Sequence, residues 1–142
     1  HQTGTQRLNI KKTVSTVDTS PYLDVTISRN STHWMILTSN FNTPTLPLST
    51  ATASIFLNNF KPRNGGTPVV TSVRIDDTHA NPQAMWVAMG SPEYPTATQL
   101  QQLYQTTILN PVPYTAFQMA PGGLQLTVDV PPLGVLAIAV RL

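Results

Sequence analysis

The sequence predicts a mostly β fold, an antiparallel β-sandwich with a helix–loop–helix insertion at about residues 81–107. Apolar and polar residues alternate over several short segments, which is typical of strands with one buried face. Thirteen prolines among 142 residues leave few uninterrupted helical stretches, and only the middle of the chain spaces its apolar residues as a helix does. The length suits one domain, so we expect residues 1–142 to form a single sandwich.

Five strands are predicted before the helical region, over about residues 6–17, 23–28, 33–39, 51–60 and 68–76. The segment 33–39 is almost continuously apolar, which predicts a central strand that buries Trp34. Residues 43–49 contain two prolines and are expected to form a loop. The turn at 61–66 contains Asn-Gly-Gly, which favours a hairpin between the flanking strands. In the second of these strands, Val69, Thr71, Val73 and Ile75 are expected to share one face.

Two helices are predicted from their capping residues. Asn81 resembles an N-cap and is followed by proline at the first helical position. Thr96 and Gln99 have the spacing of a capping box, and this second helix should end near residue 107. The expected apolar stripes are Pro82, Met85, Trp86 and Met89 in the first helix and Leu100, Leu103 and Tyr104 in the second. Trp86 is therefore expected to be a core residue.

The chain returns to strands at about residues 114–119, 124–130 and 134–142, with a turn at 121–123. The last strand carries no charge until Arg141. Exposed edge strands are normally protected by charge or proline, so this strand is either central or covered by a partner.

Composition excludes several classes of function. Charged residues are only 10% of the chain, against about 25% in an average domain, and the net charge is +2 with no basic stripe. Nucleic acid is therefore not expected as a partner. No apolar run is long enough to span a bilayer. The absence of cysteine excludes disulfides, thiolate metal sites and a cysteine nucleophile, and no cofactor is expected.

Few residues suggest chemistry. Asp76 and Asp77 are adjacent, so in a strand their side chains would point to opposite faces instead of forming a catalytic pair. We expect them to hydrogen-bond the turn that follows, with a cation site formed together with His79 as the alternative. No Gly-x-Ser-x-Gly motif is present to support a serine nucleophile. Asn30-Ser31-Thr32 is an N-glycosylation sequon, and it favours a secreted or extracellular location.

Several motifs between Val70 and Val140 occur in the order found in one enzyme family. They are Val73-Arg-Ile-Asp-Asp77, Trp86 with Gly90-Ser-Pro92, Tyr94-Pro-Thr96 with Gln99-Leu100, Pro121-Gly-Gly-Leu-Gln-Leu126 and Pro132-Leu-Gly-Val-Leu-Ala-Ile-Ala-Val140. With them, this part of the chain resembles the β-sandwich that follows the catalytic barrel in α-L-iduronidase and related enzymes of glycoside hydrolase family 39.

The resemblance implies an accessory role. The family's two catalytic residues are glutamates at the ends of barrel strands, whereas this chain has one glutamate, Glu93, in the predicted sandwich. No catalytic residue can be carried over, and the chain alone is expected not to hydrolyse glycosides.

Two functions follow. The favoured one is a freestanding, non-catalytic extracellular module for glycan binding, as in a lectin, or for protein assembly. The alternative is a processed C-terminal chain that stabilises the barrel, for which the location would be lysosomal. We expect a protein partner or self-association, and carbohydrate is a further candidate ligand. The candidate glycan contacts are Tyr94, Asp77 and His79, although Tyr94 could instead pack against Trp86.

Overall fold

The computed structural model describes residues 6–7, 23–41 and 49–142. Most of the first predicted strand and most of the predicted 43–49 loop lie outside these ranges.

The described strands form two antiparallel sheets. The larger sheet has the order β1 (Gln6–Arg7), β2 (Leu23–Arg29), β3 (His33–Asn40), β9 (Val135–Arg141), β5 (Val70–Ile75) and β6 (Val112–Pro113). The smaller sheet has the order β4 (Ala51–Asn58), β8 (Gly123–Val130) and β7 (Phe117–Ala120). Helices α1 (Pro82–Ala88) and α2 (Ala97–Thr106) lie between β5 and β6 in the chain. The predicted mostly β fold with a helix–loop–helix insertion is confirmed.

The core lies between the inward faces of the two sheets. The largest fully buried apolar side chains come from both: Ile36, Ile138 and Val140 from the larger sheet, and Leu57, Leu124, Leu126, Val128 and Val130 from the smaller one. Trp34 is 7% exposed, as predicted, and Arg29 lies over its ring. The alternation read from the sequence places these residues on one face of each strand, which is the packing of a sandwich.

Asn40 joins the two sheets inside the core. Its side-chain amide on β3 donates to the carbonyl oxygen of Val130 on β8 at 3.0 Å, and also to the carbonyl oxygen of Ser49 at 2.8 Å. A buried amide needs such partners, because an unpaired polar group in the core costs about 1–3 kcal/mol.

The turn between β7 and β8 depends on two glycines, as predicted. Gly122 has φ +88°, a conformation that residues with a side chain rarely adopt. A Cβ atom on Gly123 would clash with the carbonyl oxygen of Leu57, so this close approach of two backbones also requires glycine.

The predicted hairpin between β4 and β5 is wrong. β4 pairs with β8 in the smaller sheet, whereas β5 pairs with β9 and β6 in the larger sheet. The chain crosses from one sheet to the other after the short 3-10 turn at Arg63–Gly65. Asn-Gly-Gly correctly marks a change of direction, but it carries no information about which sheet the next strand joins.

The helix caps are confirmed. The side chain of Asn81 accepts from the backbone N–H of Ala84 at 3.1 Å, and Thr96 and Gln99 form a reciprocal capping box.

The placement of Trp86 in the core is wrong, since 37% of this residue is exposed. Its indole N–H donates to the carbonyl oxygen of Pro92 and so holds the inter-helix loop. Neither helix contains a buried residue, because the two short helices pack mainly against each other.

Candidate functional site

The outward side of the larger sheet is apolar where β3, β9 and β5 lie side by side. We call this surface the outer apolar face, and it consists of Met35, Leu37, Val73, Ile75, Val135, Ala137 and Ala139. The strand register brings these residues together in rows: Met35 is opposite Ala139, Leu37 is opposite Ala137, and Val135 is opposite Ile75. In the described structure Met35 is 42%, Leu37 is 49% and Ile75 is 43% exposed.

Within the described strands, the rows of the outer apolar face carry no charge. Ser39 and Thr71 complete the rows, and Arg141 lies one row beyond them. On the neighbouring strand β2, the outward residues are Asp24, Thr26 and Ser28, which form a polar border.

The predicted grouping of alternate residues on β5 is confirmed, and the sheet arrangement decides which side of the strand is buried. Val69, Thr71, Val73 and Ile75 share one side of the strand, as predicted, but that side faces outward. The inward side presents Val70, at 5% exposure, and Ser72, at 6%. Alternation alone could not identify the buried side, because β5 carries apolar residues on both.

The smaller sheet shows what a solvated face looks like in the same protein. Its outward side carries Thr52, Ser54, Gln125 and Asp129, with Phe56 as the one large apolar side chain among its described residues on β4 and β8. These polar groups bond across the strands: Thr52 donates to Asp129 at 2.6 Å, and Gln125 donates to Ser54 at 2.9 Å. A sheet with one wet side normally has this pattern. The outer apolar face departs from it.

The shape of the outer apolar face follows from side-chain size. The central strand β9 presents Ala137 and Ala139, while larger side chains stand on both flanks, with Leu37 on one side of Ala137 and Val73 on the other. The face is therefore a shallow trough along β9, bordered by ridges on β3 and β5.

A second feature is a cleft of about 610 Å³ beside β5. Its polar lining includes Arg74, His79, Tyr114 and Asp129, and its apolar lining includes Ile108 and Leu109. Burial and the charge of Asp129 raise the pKa of Tyr114, and its hydroxyl donates to the carbonyl oxygen of Thr127. Among the described residues, Asp129 is the only carboxylate that lines this cleft.

Asp76 organises the turn between β5 and α1, as expected for an aspartate at the end of a strand. One carboxylate oxygen accepts from the backbone N–H groups of Thr78 and His79, each at 2.9 Å, and the other accepts from Arg74 at 2.6 Å. Burial alone would raise the pKa of Asp76, but the hydrogen bonds from His79, Thr78 and Arg74 outweigh it and hold the pKa far below its ordinary value. Both carboxylate oxygens of Asp76 therefore already accept hydrogen bonds from residues of the same turn or strand end.

The candidate glycan contacts are not gathered in one place. His79 lines the cleft, with about half of its side chain exposed. Asp77 lies in the exposed turn beside it, and Tyr94, at 84% exposure, lies on the inter-helix loop and does not line the cleft. Their roles in glycan binding stay predictions.

The sequon residue Asn30 lies in the exposed turn between β2 and β3, where its side-chain oxygen accepts from the N–H groups of Thr32 and His33.

Within the described ranges, no three His, Cys, Asp or Glu side chains converge as a metal site would require. None of the described helices is long and apolar enough to cross a membrane.

Sequence reasoning did not identify the outer apolar face. A signal was available, because β3 and β9 are apolar at successive positions and not only at alternate ones. The uncharged last strand is predicted to be either central or covered by a partner. β9 is central, between β3 and β5, and its outward side is uncharged from Val135 to Ala139.

The chain is similar in sequence or fold to several bacterial enzymes. A curated β-xylosidase from Caldicellulosiruptor saccharolyticus is 30% identical over 92 residues, which cover 65% of this chain and 18% of that protein. The crystal structure of a GH39 enzyme from Xanthomonas axonopodis pv. citri matches with a TM-score of 0.60 at 16% identity, over 82% of this chain and 25% of that one. A monomeric β-xylosidase from Caulobacter crescentus CB15 matches with the same TM-score at 18% identity, over 82% and 26% of the two chains.

The chain thus spans about a quarter or less of the length of these relatives. Two of these three relatives are named as β-xylosidases, so the narrower likeness to iduronidase gains no specific support. The profile of the family described as glycosyl hydrolases family 39 matches residues 5–123. With most of its length inside that match, the chain belongs to glycosyl hydrolases family 39.

Proposed function

We propose that this chain is a non-catalytic accessory domain of a family 39 glycosidase, and that it stabilises the catalytic part of the enzyme by packing against it. The observation that carries the proposal is that the segment similar to this chain makes up only 18–26% of the length of the related enzymes. The remaining three quarters offer a place for the catalytic machinery outside the sandwich.

The described carboxylates support a non-catalytic role. Glycoside hydrolysis uses two facing carboxyl groups about 5–10 Å apart. The cleft contains Asp129 alone, which accepts a hydrogen bond from Thr52, and Asp76 is occupied by its own turn. Glu93 lies on the inter-helix loop, away from the lining of the cleft.

The proposal is tested with xylosides, because two of the relatives are named as β-xylosidases. The chain alone should release no product from an aryl β-xyloside. The longer gene product that contains it should be active, and deleting residues 23–142 from that product should shorten the half-life of activity on mild heating. Turnover by the isolated chain, a gene that encodes no further domain, or an unchanged half-life after the deletion would each contradict the proposal.

Carbohydrate binding by the cleft is a second candidate function. The combination of His79, Arg74 and Asp129 with Tyr114 supports it, since sugar hydroxyls need charged and polar partners beside apolar surface. Titrating the ¹⁵N-labelled chain with xylose and xylobiose tests it. Shifts confined to residues that line the cleft would support binding, and an unchanged spectrum at millimolar sugar would reject it. We also propose a secreted location for this chain, which the exposed sequon at Asn30 supports.

A further inference from the structure

We infer that the outer apolar face is the surface by which this domain packs against the remaining part of its own glycosidase polypeptide. The inference rests on the proposed function and names the surface and the partner that the proposed function requires. It starts from the contrast between the two sheets. The smaller sheet presents hydrogen-bonded polar rows to solvent, whereas the larger sheet presents seven apolar side chains in adjacent rows.

Strands with apolar residues on both sides normally belong to sheets that are covered on both faces. β3 and β9 follow this pattern: Ile36 and Ile138 face the core at 0–1% exposure, and the next residues in the chain, Leu37 and Ala139, lie on the opposite side. The smaller sheet covers one face of the larger sheet. The other face lacks a cover within the described residues.

The dimensions of the outer apolar face suit the centre of a stable contact. Three strands about 4.8 Å apart and about six residues long give a surface of roughly 14 by 20 Å, or on the order of 300 Å². A standard interface buries about 800 Å² on each side, with an apolar centre and a polar rim. The outward residues of β2, Asp24, Thr26 and Ser28, form such a rim along one side.

The occupant we infer is the remainder of the enzyme chain. The related chains hold about three quarters of their length outside the sandwich, so a large covalently linked partner is available in each of them. An uncharged face is typical of permanent contacts, because buried contact centres are depleted of charge. The trough along β9 further requires a convex partner surface that can fill the space above Ala137 and Ala139.

Thiol labelling can locate the contact, since the chain has no cysteine of its own. Leu37→Cys and Ile75→Cys introduce thiols on the outer apolar face at 49% and 43% exposed positions. Phe56→Cys is the matched control, because Phe56 is also 43% exposed but lies on the outward side of the smaller sheet. Each variant is made in the isolated chain and in the full-length enzyme. The rate of maleimide addition at each position is followed by mass spectrometry of the peptides, after circular dichroism confirms folding.

We expect the Leu37→Cys and Ile75→Cys thiols to react at least about tenfold more slowly in the full-length enzyme than in the isolated chain, with Phe56→Cys unchanged. Equal rates for all three variants, or protection of Phe56→Cys instead, would overturn the inferred face. Slow labelling of the face in the isolated chain that becomes fast on dilution would overturn the inferred partner in favour of a second copy. The heat-inactivation test of the proposed function is separate, so the two ideas can fail independently.

Discussion

Asp76 provides the sharpest test of how this domain is held together. Its side chain is only 4% exposed, and it accepts hydrogen bonds from two backbone N–H groups and from the guanidinium of Arg74. Asp76→Asn keeps the size and one acceptor oxygen but removes the charge. A hydrogen bond to a charged group contributes about 1.5–3 kcal/mol. We therefore expect the substitution to lower the free energy of unfolding by about 2–4 kcal/mol at pH 7.

The same carboxylate predicts a dependence on pH with a definite sign. The folded-state pKa of Asp76 is depressed, whereas the unfolded value is about 3.9. The contribution of the ionised Asp76 to the free energy of unfolding is therefore fully present above the unfolded pKa, and it is lost as pH falls toward the folded pKa. The free energy of unfolding should fall by about 1.4 kcal/mol for each pH unit below about 3.9, as long as the pH stays above the folded-state pKa. The difference in stability between the natural chain and Asp76→Asn should shrink accordingly between pH 6 and pH 3.

Urea unfolding followed by tryptophan fluorescence at pH 7, 5, 4 and 3 measures both effects. Asp77→Asn is the matched control, because it makes the same chemical change at the exposed neighbouring position and should alter stability by less than about 0.5 kcal/mol. An Asp76→Asn effect as small as that of the control, or one that stays constant down to pH 3, would refute the reasoning.

Two further substitutions test the placement of apolar side chains. Ile138→Ala removes a fully buried side chain from the central strand and should lower the free energy of unfolding by about 2–5 kcal/mol, measured by urea unfolding, and a cost under 1 kcal/mol would contradict the packing. Trp86→Ala should cost only about 1–2 kcal/mol instead of the roughly 3–5 kcal/mol typical of a buried tryptophan, because more than a third of Trp86 is already exposed. A cost above 3 kcal/mol would mean that the helix pair is covered in solution.

Local signals in the sequence determined most of the secondary structure. Asn81 and the Thr96–Gln99 pair end up as helix caps, since a cap requires only groups within three or four residues. The Gly122–Gly123 turn and the strand-end role of Asp76 are local in the same sense. The apolar alternation of β8 was also sufficient to define its buried side, because its other side is polar.

Tertiary structure alone decided how these elements were joined. The pairing of β4 with β8 brings Ala51 opposite Val130, far apart in the chain, and no signal at the intervening Asn-Gly-Gly turn could specify it. The buried side of β5 and the exposure of Trp86 depended likewise on which surfaces the rest of the chain could cover. Local chemistry acts over a few residues, whereas strand partners and burial follow from the packing of the whole chain. For that reason the apolar runs in β3 and β9 indicate two buried or covered sides, but only the order β3, β9, β5 in the sheet joins their residues into one outer apolar face.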